Sequence, residues 1–245
     1  MSKLFESNNP MLSESAVDKR LQNSAITYGD VMTVDGAMNK SLILFSLLMV
    51  TAFIGYTNPS SLNIIVGAVG GLIAVLVASF KPNWSPIASP VYALLEGLFV
   101  GSISAMYATA YDGIVGQAVM LTMGTLVIML AIYKANLIPV TQKFKTCVFM
   151  ATGAIALVYL ASWIMGMFGI NMPYIHEGGM IGIGISVVII GVAALNLLID
   201  FDSFEKGEEA GAPKYMEWFF AMGLLVTLVW LYIEFLRLLS KLQRD

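Results

Sequence analysis

The chain has 245 residues, 58% of them hydrophobic and only 12% charged, with a mean hydropathy of +0.80. That balance lies well outside a soluble globular domain and points to a polytopic membrane protein, with the lipid bilayer as its first partner. A formal net charge of -3 offers no basic stripe for nucleic acid, and a single cysteine, Cys147, leaves neither an intramolecular disulfide nor a thiolate metal cluster.

Residues 1–40 form a polar arm carrying Lys3, Lys19, Arg20 and Lys40. It has no short apolar core followed by a small-residue cleavage site, so no signal peptide is expected, and the first membrane helix would serve as the insertion signal. A helix around 13–25, capped by Ser13, is expected within the arm. Seven apolar stretches follow at about 41–57, 62–80, 90–109, 114–133, 147–168, 180–199 and 216–240, each near the roughly 20 residues that cross a bilayer. Turn chemistry separates them at Asn58-Pro59-Ser60, Lys81-Pro82-Asn83, Asp112-Gly113, Asn171-Met172-Pro173 and Gly211-Ala212-Pro213. The expected organisation is the arm, 1–40, and one seven-helix transmembrane domain, 41–245.

Basic residues are retained on the cytoplasmic side of short loops. Ten of the 13 fall in the arm or in alternate loops: Lys3, Lys19, Arg20, Lys40, Lys81, Lys134, Lys143, Lys145, Lys206 and Lys214. The amino terminus is therefore expected in the cytoplasm. Arg237, Lys241 and Arg244 then fall outside, unless 216–240 enters and returns on one side.

Gly67-xxx-Gly71 and Gly97-xxx-Gly101 permit close helix approach, and Gly182, Gly184 and Gly191 make the sixth stretch easy to pack or bend. The 16 methionines are scattered without paired spacing and read as core filling. Trp84, Trp163 and Trp218 near stretch ends read as interfacial anchors.

An intramembrane zinc hydrolase needs several imidazole, thiolate or carboxylate ligands, and the only histidine, His176, falls in a loop. There is no Gly-x-Ser-x-Gly and no P-loop, and no buried Ser–Lys arrangement is expected. No enzymatic activity and no cofactor are expected. What remains is a set of carboxylates in or beside apolar segments, where an ionised acid is costly and usually marks a functional path.

Glu96 sits one to two turns after Pro90 inside the third stretch and reads as a buried hydrogen-bonding or gating group on an ion path. Asp200 and Asp202 close the sixth. Residues two apart diverge by roughly 200° on a helix, so one of them, Asp200, is expected to face inward. The plain alternative is that both are solvated residues ending a helix before the acidic Glu205, Glu208 and Glu209. Glu234 and Arg237, three apart, can neutralise each other as a local ion pair or take part in gating. Two carboxylates close together in low dielectric share a proton, which makes a pH sensor and a cation site. Oxygen-only ligands suit calcium.

At these residues the sequence resembles the transmembrane Bax inhibitor motif family, in its bacterial YccA-like branch. The matching pieces are Tyr92-Ala-Leu-Leu-Glu96-Gly97-Leu-Phe-Val-Gly101, Leu197-Leu-Ile-Asp200-Phe and Leu231-Tyr-Ile-Glu234-Phe-Leu-Arg-Leu-Leu. Met32-Thr-Val-Asp35-Gly36 also looks like the branch's amino-terminal signature. The resemblance implies an all-α integral membrane protein of the inner membrane, a seven-helix bundle with its last helix central. It also implies a pH-dependent calcium leak gated by an acidic pair between helices six and seven. Carried over by motif, Asp200 is the helix-six acid, Glu234 the helix-seven acid and Glu96 the helix-three acid. Three departures stand out. The helix-seven acid is Glu rather than Asp. Glu234 lies about 27 Å along a helix beginning at Met216, so Glu217 is a rival partner for Asp200. The cationic gate partner is not evident, with Lys81 and Arg237 as candidates.

The reading is a pH-sensitive cation leak channel with calcium as the permeant ion, in which Asp200 and either Glu234 or Glu217 form a proton-sharing latch. Asp202 is an accessory member, and Asp200 and Glu96 are the calcium ligands. One rival is a regulatory protein that binds the membrane-anchored AAA protease of the inner membrane through its arm. Another is a proton-coupled transporter using the same acids.

Overall fold

The computed structural model describes residues 31–169 and 179–244. The helix expected at 13–25 and the loop around His176 lie outside them. Seven long helices account for nearly all of the described chain: α1 Val34–Thr57, α2 Ser61–Phe80, α3 Ser85–Ala110, α4 Ile114–Lys134, α5 Gln142–Met167, α6 Met180–Glu209 and α7 Met216–Leu242. All are long and apolar enough to cross a membrane. Short connections make successive helices antiparallel. The start of α1, the ends of α2, α4 and α6 and the starts of α3, α5 and α7 share one face, called here the first face.

Hydropathy locates these helices but underestimates four of them. The first, α1, begins at Val34 because the Thr33 hydroxyl accepts the Gly36 N–H at 2.9 Å and caps it. Its first turns are polar, so an apolar window misses them. Likewise α5 starts at Gln142 behind the Thr141 cap. In α3 the helix starts before Pro90, which sits inside it; Pro86 in its first turn needs no N–H there.

The largest difference is in α6, which runs to Glu209 rather than ending near Asp200. Phe201, Phe204 and Gly207 are buried, so the extra turns still have an apolar face. The helix stops where Gly211 takes φ +62°. The Ala212 N–H then donates to Gly207 O and the Gly211 N–H to Glu208 O, both at 2.9 Å, a pairing that satisfies the last carbonyls.

The most buried helix is α7, with core residues along its whole length from Ala221 to Leu236. It packs against α1, α3, α4 and α6. The glycine pairs of α3 and α2 lie at crossings. A Cβ on Gly101 would stand 2.8 Å from the Tyr56 nitrogen of α1, and one on Gly67 would stand 2.6 Å from the Phe99 Cβ of α3. Gly184 and Gly191 by contrast face open space. Large apolar side chains such as Phe53, Phe80, Phe149 and Trp163 cover the outside, as expected where lipid is the solvent.

Candidate functional site

The candidate acids Asp200 and Glu234 lie on the α6–α7 seam, whose register three pairs define. Gly207 packs on the Phe220 ring, Asp200 faces the Thr227 hydroxyl, which donates to Gly223 O at 3.2 Å, and Lys241 donates to Ser186 Oγ at 3.0 Å. Moving from one pair to the next advances both helices by equal steps, seven residues and then fourteen, so this is one continuous antiparallel contact. At 1.5 Å per residue it separates Asp200 from the Lys241 contact by about 21 Å.

Asp200 faces α7 where that helix has no side chain: a Cβ on Gly223 would stand 3.9 Å from Asp200 Oδ1. Its Oδ2 is buried without a hydrogen-bond partner among the described residues. The group opens on a cavity of about 270 Å³ lined by Val75 and Ser79 of α2, Ser203 of α6, and Phe219, Met222 and Val226 of α7. Oxygen atoms from Ser79, Asp200 and Ser203 thus share a mostly apolar space. A buried acceptor left unpaired costs about 1–3 kcal/mol, more for a charged group, so the site is a local strain on the fold.

Asp202 points away from Asp200, as two residues on a helix must. It is paired with Lys145 of α5 and with Lys206, the latter at 2.9 Å. Beside it the Tyr133 hydroxyl donates to Glu205 at 2.5 Å. These pairs tie the first-face ends of α4, α5 and α6 together, so Asp202 belongs to a structural ion-pair cluster rather than to the Asp200 cavity.

Neither proposed partner reaches Asp200. Glu217, 2% exposed, accepts the Thr33 N–H at 3.1 Å and lies against Gly36, where a Cβ would overlap its carboxylate. On α7 it diverges by about 120° from Gly223 and sits roughly 9 Å below it. Glu217 is therefore the anchor for the entry to α1. Around it, the Met32 N–H donates to Ala212 O at 2.9 Å, Met32 is fully buried with its sulfur against Gly207, and Val31 bridges Pro213. The segment 31–36 thus straps the first-face ends of α6 and α7.

Glu234 shares the Gly223 face but lies about 16 Å further along. It is 1% exposed. It accepts from the Tyr159 hydroxyl at 2.7 Å and from Arg237 at 3.0 Å. Arg237 also donates to Tyr159 Oη at 2.5 Å and lies 4.8 Å from the centre of that ring. Glu234 and Arg237 thus form a closed group with α5. The expected two-acid latch is absent: Gly223 and Thr227 occupy the positions opposite Asp200, and each rival acid has another partner.

Glu96 lies at the α2–α3 crossing, where a Cβ on Gly71 would stand 2.6 Å from its Oε2. It has no ion-pair or hydrogen-bond partner among the described residues. Gly71 is one turn from Val75 on the stripe of α2 that continues through Ser79, so Glu96 is about 6 Å along that stripe from the Asp200 cavity. Lys81 is exposed with its ammonium 5.4 Å from the Trp84 ring and pairs with neither Asp200 nor Glu96. Among the described residues no three histidine, cysteine or acidic side chains converge to hold a metal; Glu96 and Asp200 belong to separate places.

Sequence reasoning missed Thr227, Gly223, Tyr159 and Lys145. Their signals are weak, because a threonine or tyrosine in an apolar run differs little from core filling. Lys241, four residues before the chain end, stands out in the sequence only by its charge, and its contact with Ser186 at 3.0 Å is a buried Ser–Lys pair that the sequence did not lead one to expect.

A bundle of seven spanning helices with buried acids along its most central helix defines a multi-pass membrane protein. The chain belongs to the Bax inhibitor 1 like family, whose model matches residues 9–244. Among curated proteins, none matches the chain.

Proposed function

We propose that the protein is a pH-sensitive cation leak channel, with calcium as the permeant ion, of a bacterial inner membrane. The observation that carries this reading is Asp200: a carboxylate with a buried oxygen that has no partner among the described residues, in a membrane-spanning seam, opposite a glycine and open to a cavity. Ionised, it is a seat for a hard cation and water. Protonated, it is a neutral neighbour of Thr227, and the seam closes around it. From the cavity the path follows Ser79, Val75 and Gly71 of α2 to Glu96, an acid with no ion-pair or hydrogen-bond partner among the described residues. This reading involves a single acid rather than a shared-proton pair, and it needs neither a cofactor nor a catalytic step.

The orientation that suits it puts the first face in the cytoplasm. Lys40, Lys81, Lys134, Lys143, Lys145, Lys206 and Lys214 all lie at that face, the side on which positive charge is retained. The deciding experiment is calcium flux into liposomes containing the purified chain between about pH 6 and 8, for wild type and Asp200→Asn. A leak that rises with pH in the wild type and loses that dependence in the variant is expected. An unchanged pH profile in the variant removes Asp200 from the mechanism.

The strap favours a second reading, a modulator of the membrane-anchored AAA protease. Because 31–36 clamps the ends of α6 and α7, a partner holding the arm would act directly on the seam. Deleting residues 2–30 separates the two readings: a channel still conducts, whereas a modulator loses its partner in a pull-down.

A further inference from the structure

A second cavity, of about 550 Å³, lies on the side of α7 turned away from Asp200. Leu225 and Tyr232, which line it, are about 200° and 180° round that helix from Gly223. Its floor is buried and apolar, with Val100 of α3 and Leu225 of α7, whereas Phe53 of α1 and Val119 of α4 at its rim are exposed. Helices α1 and α4 stand on either side of it with little direct contact between them. The cavity therefore opens sideways, which in a bundle of spanning helices means into lipid.

Hydroxyls inside the cavity are already satisfied. Ser104 Oγ lies 2.6 Å from Tyr232 Oη, and Thr122 donates to the Ala118 carbonyl oxygen at 2.8 Å. The lining thus offers an occupant apolar contact rather than hydrogen bonds, and an apolar space of this kind excludes water and takes hydrocarbon. Its extent fits one class of hydrocarbon. From Phe45 to Tyr56 it follows α1 for about 16 Å, close to the hydrocarbon depth of one leaflet, about 15 Å. It ends in the last turns of α1, at the face opposite the first face.

A cation stands beyond that end. Arg244 follows α7, is exposed, and its Nε donates to Tyr111 Oη at 2.5 Å. Tyr111 is seven residues past Ser104 on one stripe of α3, so this pair is about 10 Å from the cavity's polar end. Among the described residues no acid pairs with Arg244, and the rest of its guanidinium has no hydrogen-bond partner. That leaves the terminal N–H fork, whose geometry fits phosphate oxygens.

We propose that the α1–α4 cavity is a lipid seat: it takes one acyl chain of a phospholipid, whose phosphate rests on the Arg244 guanidinium. The seat lies apart from the Asp200 cavity, and it holds whether or not the chain conducts ions.

Two measurements test it on the full chain. In detergent, native mass spectrometry counts bound dioleoylphosphatidylglycerol and dioleoylglycerol, which share their chains and differ in the phosphate-bearing headgroup. The wild type should keep the phospholipid about fivefold better, the attraction of one basic side chain for such a headgroup, and Arg244→Gln should remove that difference. Val119→Trp fills the cavity from its rim and should lose both lipids. Met120→Trp adds the same bulk on the outer surface, outside the cavity, and should keep both. Equal retention by the two tryptophan variants overturns the seat, and a phospholipid preference that survives Arg244→Gln overturns the phosphate contact. The second measurement needs no variant. A phospholipid with a photoactivatable diazirine near the end of one chain should label Leu48 and Thr122, which line the cavity and are buried from bulk lipid. Labelling confined to outward side chains such as Phe149 overturns the seat even where a variant fails to fold.

Discussion

Gly36→Ala is the sharpest test of the strap, because two physical effects of opposite sign meet at that residue. Alanine is the better helix former, by up to about 1 kcal/mol relative to glycine, so at an ordinary position in the first turn of α1 the change would stabilise the protein. At this position the added Cβ would lie 2.7 Å from Glu217 Oε2, and closer still to the other two carboxyl atoms. Glu217 is almost fully buried and has little room to retreat, so the carboxylate must leave the Thr33 N–H. A hydrogen bond to a charged group contributes about 1.5–3 kcal/mol, and the anion at the start of α1 about 0.3–1 kcal/mol more. The net expectation is a loss of about 1–3 kcal/mol. Glu217→Gln keeps an acceptor of the same shape and should lose only about 0.5–1 kcal/mol. Denaturation in detergent micelles followed by tryptophan fluorescence reads both, with Trp218 next to the perturbed residue. A Gly36→Ala protein more stable than wild type would show that Glu217 does not anchor α1.

Other consequences can be measured independently. Gly101→Ala forces α3 away from the α1 backbone and strains the Ser102 bond to Gly55 O, 3.3 Å long, so it should cost about 2–3 kcal/mol. Gly124→Ala, where nothing lies within 4 Å, should be neutral or slightly stabilising in the same assay. Glu234→Ala leaves Arg237 without its anion and should destabilise by about 3–5 kcal/mol; adding Arg237→Met should recover part of that loss, and a purely additive double variant would contradict the pairing. Lys145→Met leaves Asp202 with Lys206 alone and should cost about 1–2 kcal/mol while leaving the pH dependence of calcium leak unchanged. Finally, one unpaired acid titrates in a single step, whereas a shared-proton pair titrates in two. In a Glu96→Gln background, which leaves Asp200 as the one unpaired acid on the proposed path, the leak should therefore follow a one-proton curve, and two resolved steps would restore the two-acid latch.

The fold was legible because its main signal, seven apolar runs broken by Asn-Pro, Lys-Pro and Gly-Ala-Pro turns, is a property of composition. The helix ends were less so, since α1, α5 and α6 continue into polar turns that tertiary partners support: Glu217 for α1, and Lys145, Tyr133 and Met32 for α6. For the site, the motif around Asp200 identified the acid, and its divergence from Asp202 followed from helix geometry alone. Its neighbours could not be found the same way. Pairing across α6 and α7 depends on register, and the register is set by where Gly207 meets Phe220, a contact with no sequence periodicity. The sequence therefore offers Glu217 and Glu234 as the second acid, whereas the structure places a glycine and a threonine opposite Asp200.

That substitution changes what the seam can do. Two acids facing each other hold a proton between them, and the closed state is stabilised by their own bond. With Gly223 opposite, Asp200 has no such bond, and closure depends on what clamps the seam elsewhere. Two clamps are present: the 31–36 strap with Glu217 at the first face, and Lys241 on Gly182 and Ser186 at the other. In the proposed channel the titrating acid and the holding elements are thus separate residues, about 9 Å apart along α7 at one end and about 21 Å apart at the other. A change at either clamp should shift how much the seam opens at a given pH, and a change at Asp200 should remove the pH dependence itself. In a two-acid latch both properties would be lost together on mutating one residue, so their separability is the physical signature of this arrangement.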